Sequence, residues 1–322
     1  MAFLGFYTRA SDFAGGIDNF TATFHDTDYT DRAVQFPNNQ AGAISWGSAQ
    51  TDIWIHWRQY FNGTHNTNAD GHWWTLVDAN GIAVARADIT NGTTEYGIST
   101  NGSSYTEASA TASPGIAVQT DVDVHWQSDS GGNDVLTVYH DGVQVATVSV
   151  AHVTSVGAFT LIWDVNDIGQ GAGDDVYISE MMVANEDTRG LRLATLVPDA
   201  VGAETDWAGA FGDVIDRGDG KAATSDTATE RVSFNVSAYS GPASPTSIRG
   251  VFVQCWATAG ASGPANVEPF VRIASVNYDS GSIVAPDFSV PVIGEYANNP
   301  NTAVAWVEAD FASLEIGVEA VA

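Results

Sequence analysis

Apolar and polar residues alternate along most of this chain, and glycine, asparagine and aspartate interrupt the alternation at short intervals. Ile53-Trp-Ile-His-Trp-Arg-Gln-Tyr-Phe61 and the run opening at His72-Trp-Trp74 predict two strands, joined by the polar loop Asn62-Gly-Thr-His-Asn-Thr-Asn-Ala-Asp-Gly71. Asn80-Gly81, set between alternating segments, predicts a tight hairpin. A second hairpin runs through Val122-Asp-Val-His-Trp-Gln127, a glycine-rich tip from Ser128 to Asp134, and Val135-Leu-Thr-Val-Tyr139. His140-Asp-Gly142 then turns the chain into Val143-Gln-Val-Ala-Thr-Val-Ser-Val150, and further strands are expected at Ala158–Trp163 and Asp175–Ala184. Strands at this spacing predict a two-sheet sandwich.

Near Asn185-Glu-Asp-Thr-Arg-Gly190 the chain turns polar and the pattern changes. Strands are expected around Arg231–Val236, Ile248–Trp256 and Val267–Ile273, then a helical turn near Val307–Ala312 and a last strand. All 7 histidines precede residue 191, so the halves differ in kind. With 322 residues there is length for two cores. The expectation is an all-β chain of two β-sandwich domains, residues 1–190 and 191–322.

Charge narrows the partners. The net charge is −28, the sequence pI is near 4.1, and Lys221 is the one lysine. Such a surface repels nucleic-acid phosphates and anionic lipid headgroups, so neither is expected as a partner. No apolar run reaches membrane-spanning length, so no membrane insertion is expected. The lone Cys255, within Val251-Phe-Val-Gln-Cys-Trp256, excludes an intrachain disulfide and a cysteine zinc site and reads as a packed thiol. Met1-Ala-Phe-Leu-Gly-Phe-Tyr-Thr-Arg9 is no basic-then-apolar leader. The expectation is synthesis in the cytoplasm without a signal peptide and release by lysis.

The candidate chemistry is binding. Strand aromatics such as Trp54, Trp57 and Tyr60 are read as packing, whereas the loop from Asn62 to Trp74 sets amides, hydroxyls and imidazoles beside aromatic rings. Rings cover apolar sugar faces and planar polar groups pair with hydroxyls. The expected carbohydrate contacts are His65, Asn66, Asn68, Asp70, His72 and Trp73. Asp164, Asn166, Asp174 and Asp175 bracket a glycine-rich segment with the oxygen ligands that Ca2+ prefers, without the acidic fifth position or the glutamate of an EF-hand. Asp26-Thr-Asp-Tyr-Thr-Asp31 is a second oxygen-rich cluster. For catalysis, Asp121-Val-Asp-Val-His-Trp126 lacks the glutamates of a glycoside-hydrolase strand, and Asp175 and Glu180 lie five residues apart. No Gly-x-Ser-x-Gly elbow is present, so no catalytic residue is assigned and the chain is expected not to be an enzyme.

Two resemblances extend this reading. Leu136-Thr-Val-Tyr-His-Asp-Gly-Val-Gln-Val-Ala146, with the later Val176-Tyr-Ile-Ser-Glu-Met-Met-Val-Ala-Asn-Glu186, resembles the central hairpin and closing strand of the laminin-G/concanavalin A-like lectin jelly roll. In the second half, Thr195-Leu-Val-Pro198, Gly202, Thr205 and Trp207 combine with Asn299-Pro-Asn-Thr302, Ala305-Trp306, Leu314-Glu315 and Gly317. That pattern resembles a domain of virion surface proteins in tailed phages, so the second domain is expected to be a phage-type β-sandwich. Together the two resemblances imply a head spike or fibre of a phage or gene transfer agent that adheres to host cell-surface or capsular polysaccharide. The implied partners are other virion proteins (capsid or spike subunits), in a homo- or hetero-oligomer, and the polysaccharide. The alternatives are a capsid-decorating or tail-tip protein that binds no receptor, and a polysaccharide-degrading enzyme.

Overall fold

The computed structural model describes residues 3–13, 15–37, 40–62, 70–90, 93–99, 103–152, 157–164, 175–214, 221–239, 247–281, 283–284 and 291–322. The chain divides into two units, Met1–Leu193 and Ala194–Ala322. The first is built on two antiparallel sheets. One, eight-stranded, has the order β12 (Val143–Ala151), β11 (Asn133–His140), β10 (Gln119–Gln127), β5 (Asp52–Asn62), β14 (Asp175–Ala184), β3 (Ala33–Phe36) and β2 (Ile17–Asn19). Its eighth strand, β1 (Phe3–Tyr7), pairs with the later half of β14. The other, six-stranded, runs β4 (Ala41–Gln50), β13 (Ala158–Asp164), β6 (Asp70–Asp78), β7 (Ala83–Thr90), β8 (Thr93–Ser99) and β9 (Tyr105–Ser109). Successive strands pass repeatedly from one sheet to the other, as in a jelly-roll sandwich.

Period-two alternation explains the core. In β5, Ile53, Ile55, Trp57 and Phe61 point inward, and Val122, Val124 and Trp126 of β10 do the same beside them. The six-stranded sheet answers with Trp46, Trp74, Leu76, Tyr96, Leu161 and Trp163. The Trp57 ring meets those of Trp74 and Trp163 edge-on, with centroids 6.2 and 5.9 Å away. Burying one such indole is worth roughly 4–6 kcal/mol of gross transfer free energy, against which chain entropy is set.

Turn chemistry sets the register. The Asp78 carboxylate accepts hydrogen bonds from the backbone N–H of Asn80 and Ile82, closing the Asn80-Gly81 hairpin between β6 and β7. Asp141 and Gly142 both take positive φ, 48° and 75°, as a two-residue turn between right-twisted strands requires. The bulge in β14 is less regular. Its register shifts between Ser179 and Met182, and Glu180 sits there at φ 53° with no exposure.

The second unit has a five-stranded antiparallel sheet, β15 (Pro198–Thr205), β16 (Arg231–Val236), β21 (Glu315–Val321), β18 (Asn266–Ile273) and β19 (Val276–Asp279). A two-stranded sheet, β17 (Val251–Cys255) with β20 (Val292–Tyr296), accompanies it. Their core joins Val253, Val271, Ile273, Tyr296, Trp306 and Leu314. The expected helical turn is the 3-10 segment Glu308–Ser313, followed by β21. Residues of the second sequence pattern are structural here. Trp306 is buried and donates Nε1–H to the Tyr296 carbonyl (2.7 Å), Asn299 is 1% exposed, and Trp207 donates to the Glu230 carbonyl. Burial pushes the Cys255 thiol up to about 12. Among the described residues, helix is confined to short 3-10 turns, and no helix is long and apolar enough to cross a membrane.

Candidate functional site

The outward faces of the two sheets of the first unit differ sharply. On the eight-stranded sheet the chain's own segments cover the outward face over β10, β5 and β14, while Gln144, Thr147 and Ser149 of β12 stay exposed. Thr188 donates to Asp123, which also bonds the buried His56 at Nδ1, both at 2.9 Å. Arg189 lies over the rings of Trp54 and Tyr139, and Trp54 stacks on His125 with centroids 4.0 Å apart. Arg192 grips both oxygens of Glu180 at 2.6 Å and reaches Asp26 at 2.8 Å. Burial alone would lower the Arg192 pKa, but the Glu180 bonds outweigh it and hold the guanidinium charge firmly. Further along, Phe24 stacks on Tyr177, and Gln119 donates to the carbonyls of Thr23 and His25. Segments 20–32 and 185–193 thus strap this face.

The carboxylates weighed as a catalytic pair are occupied. Glu180 is pinned by Arg192 inside the bulge, and Asp175 Oδ2 accepts from Gln35 Nε2 (2.7 Å) and the Tyr177 hydroxyl (3.3 Å). Burial, with Asp175 beside it, pushes the Tyr177 phenol up to about 12.

The expected carbohydrate contacts fall in three places. His65, Asn66 and Asn68 lie outside the described residues. Asp70 and His72 belong to the backbone of β6, opposite Thr90 and Asp88 of β7. Trp73 corrects the sequence expectation: it is 1% exposed and packs in the core, its ring 6.4 Å from that of Phe61. The register shift between His72 and Trp74 breaks the alternation, so Trp73 and Trp74 both turn inward and neither ring is offered to solvent. Of the expected calcium ligands, Asn166 and Asp174 lie outside the described residues, Asp164 ends β13, and Asp175 opens β14. Asn62 and Asp175 are register partners, so the β5–β6 and β13–β14 connections leave the sandwich at neighbouring strand ends. Among the described residues no group of three or more metal-binding side chains converges.

On the outward face of the six-stranded sheet Glu107 and Ser109 are exposed, Glu95 and Tyr105 are half-buried, and Asp88 is buried. The hydrogen bonds and ion pairs of this face run between its own strands. Ser45 pairs with Thr160 (2.8 Å), Arg86 with Glu107 (2.7 Å) and Ser109 with Glu95 (3.2 Å), while Arg86 also meets Asp88 two residues along its own strand (2.5 Å). One register row crosses the sheet through Ala43, Ile162, Thr75, Arg86, Gly97 and Glu107. Along it the small residues Ala43, Thr75 and Gly97 alternate with the larger Ile162, Arg86 and Glu107. Gly97 is what lets Arg86 span from β7 to β9, about 10 Å at sheet spacing. A Cβ there would stand 2.9 Å from Glu107 Cγ and 3.4 Å from Tyr105 Cβ. The Arg86 guanidinium also lies over the Tyr105 ring, 3.7 Å from its centroid. Burial raises the Tyr105 pKa, keeping the phenol protonated as a donor. Asp88 and Glu95 are direct cross-strand partners, a like-charge pairing that Arg86 offsets from one side.

This face offers carboxylate acceptors, hydroxyl groups and one fixed ring along strands that a chain molecule can cross. The expectation centred on the loop missed Arg86, Asp88, Glu95, Tyr105 and Glu107. A signal was present in Ala85-Arg-Ala-Asp88, where small inward alanines alternate with outward charges, but the pairing of β7, β8 and β9 is what assembles them.

No family model and no curated protein matches the chain. Among solved structures it is similar to the receptor binding domain of botulinum neurotoxin type G, at 10% identity over 59% of this chain, with a TM-score of 0.37. The matched part is 44% of that domain's length. It is also similar to an endo-β-1,4-glucuronan lyase from the fungus Trichoderma reesei (9% identity, 57% of this chain and 92% of that one, TM-score 0.44). A third is a SAP-like pentraxin from Limulus polyphemus (18% identity, 48% and 76%, TM-score 0.34). Likeness at this level leaves what the chain binds to be argued from its own residues.

Proposed function

We propose that this chain is an adhesion protein whose first unit holds a cell-surface polysaccharide on the open face of the six-stranded sheet. The observation that carries this reading is the Arg86–Tyr105–Glu107 cluster, with Asp88, Glu95, Ser45 and Thr160 on the same face, which no described segment of the first unit straps. Carboxylates accept from sugar hydroxyls, and hydroxyl and guanidinium groups donate. Each exchanged hydrogen bond contributes about 1 kcal/mol net, so firm attachment needs many copies acting together. That requirement fits a protein displayed on a particle. The second-half sequence pattern, resembling virion surface proteins, supports placing it on a phage-like particle released by lysis.

The test uses labelled protein on encapsulated cells and on an isogenic capsule-deficient strain. Retention on the first alone, reduced several-fold by Tyr105→Ala or Glu107→Gln, is expected; equal retention on both strains rejects the reading. For the particle, an antibody against the chain should decorate particles from lysed cultures. Purified particles lacking the chain leave an adhesin with some other carrier.

A further inference from the structure

The first unit has a charge arrangement that limits the class of glycan it takes. Its cationic side chains are the arginines Arg9, Arg32, Arg58, Arg86, Arg189 and Arg192, since Lys221 lies in the second unit. Each of them already faces carboxylate. Arg86 is held by Asp88 and Glu107, Arg58 by Asp121 (3.1 Å), and Arg189 by Asp187 (2.6 Å). Arg32 meets Asp18 and Asp31, Arg192 meets Glu180 and Asp26, and Arg9 lies in the field of Asp31, Asp12 and Asp18. Among the histidines whose side chains are described, His56, His125 and His152 each have a carboxylate partner, and His140 is buried against the Tyr96 hydroxyl. His25 is also buried, and burial lowers its pKa.

A uronate, sialate, sulfate or phosphate on a ligand needs a cation with an uncommitted bonding edge. To obtain one here it must displace an internal carboxylate, which then stays behind as an unpaired charge beside the ligand's own. On the open face the carboxylates of Asp88, Glu95 and Glu107 surround the single guanidinium of Arg86, so the local field repels a polyanion. Hydroxyls of an uncharged sugar meet no such obstacle, because they donate to carboxylates that keep their arginine.

Resting on the adhesin reading above, we infer that the polysaccharide bound on this face is a neutral one, recognised through its hydroxyl groups by acidic side chains. The test is direct binding of the full chain to immobilised soluble polysaccharides. Neutral glucans, galactans and mannans are compared with uronate- and sialate-containing polymers, each from 50 to 500 mM NaCl, with Ca2+ and with EDTA. The expected result is retention on at least one neutral polymer, tenfold or more above every acidic one. That binding should change less than twofold with salt and be indifferent to EDTA, since no counter-charge is involved. Binding confined to acidic polymers, whether salt-sensitive or dependent on Ca2+, overturns the inference and leaves adhesion standing. Failure on every polymer, together with equal retention on encapsulated and capsule-deficient cells, removes both.

Discussion

At the scale of single residues, absences decide as much as side chains do. Gly97 leaves the gap through which Arg86 reaches Glu107, and Gly97→Val closes it. Because the nearest obstacle is the flexible Glu107 side chain, the variant should fold with stability within about 1 kcal/mol of wild type, the range of a lost exposed ion pair. Its polysaccharide retention should fall to the level of Glu107→Gln, measured on the same cells. His140 makes the opposite point, as a titratable group sealed inside. Burial lowers its pKa to about 4, while the unfolded chain titrates near 6.5. The unfolded state therefore binds the extra proton across that window, and stability falls as pH drops from about 6.5 to about 4 before levelling off. The full loss is about 3 kcal/mol. Urea denaturation at pH 7 and 4.5 should show it, and His140→Gln, which retains a partner for the Tyr96 hydroxyl, should flatten it.

At the scale of elements, β14 is the keystone of the eight-stranded sheet, since its outer edge pairs with β3 along one half and β1 along the other. Between them the bulge turns Glu180 into a fully buried position that Arg192 alone among the bonded cations satisfies. Arg192→Leu strands that carboxylate, and a cost of roughly 3–5 kcal/mol is expected from the denaturation midpoint. Adding Glu180→Gln should recover part of it by removing the buried charge.

Elements also show what was legible beforehand. Hairpins closed by Asn80-Gly81 and Asp141-Gly142 were readable because their turn chemistry is local. The inward turn of Trp73 was not, because a bulge belongs to a strand pair and not to either sequence alone. The open face was hidden for the same reason: β7, β8 and β9 each carry an unremarkable alternation, and the Arg86 cluster exists only once the three are in register.

At the scale of the whole molecule, the two units have separate hydrophobic cores and divide at Leu193/Ala194. Residues 1–193 expressed alone should fold cooperatively and keep retention on encapsulated cells, while residues 194–322 should fold and show none. Loss of retention in the isolated first unit, with its fold intact by circular dichroism, assigns binding to the second. The pattern that marks the second unit in sequence lies largely in its packing, at Trp306, Leu314 and Asn299.

The pairing of Asn62 with Asp175 has an engineering corollary. Two connections depart side by side from strands whose registry is held elsewhere, by the tryptophan-rich interior. Lengthening a surface connection twofold adds only about 0.6 kcal/mol of closure entropy. Peptide libraries inserted after Asn62 and before Asp175 would therefore diversify two neighbouring strand ends without disturbing the frame, much as variable loops are grafted onto antibody scaffolds.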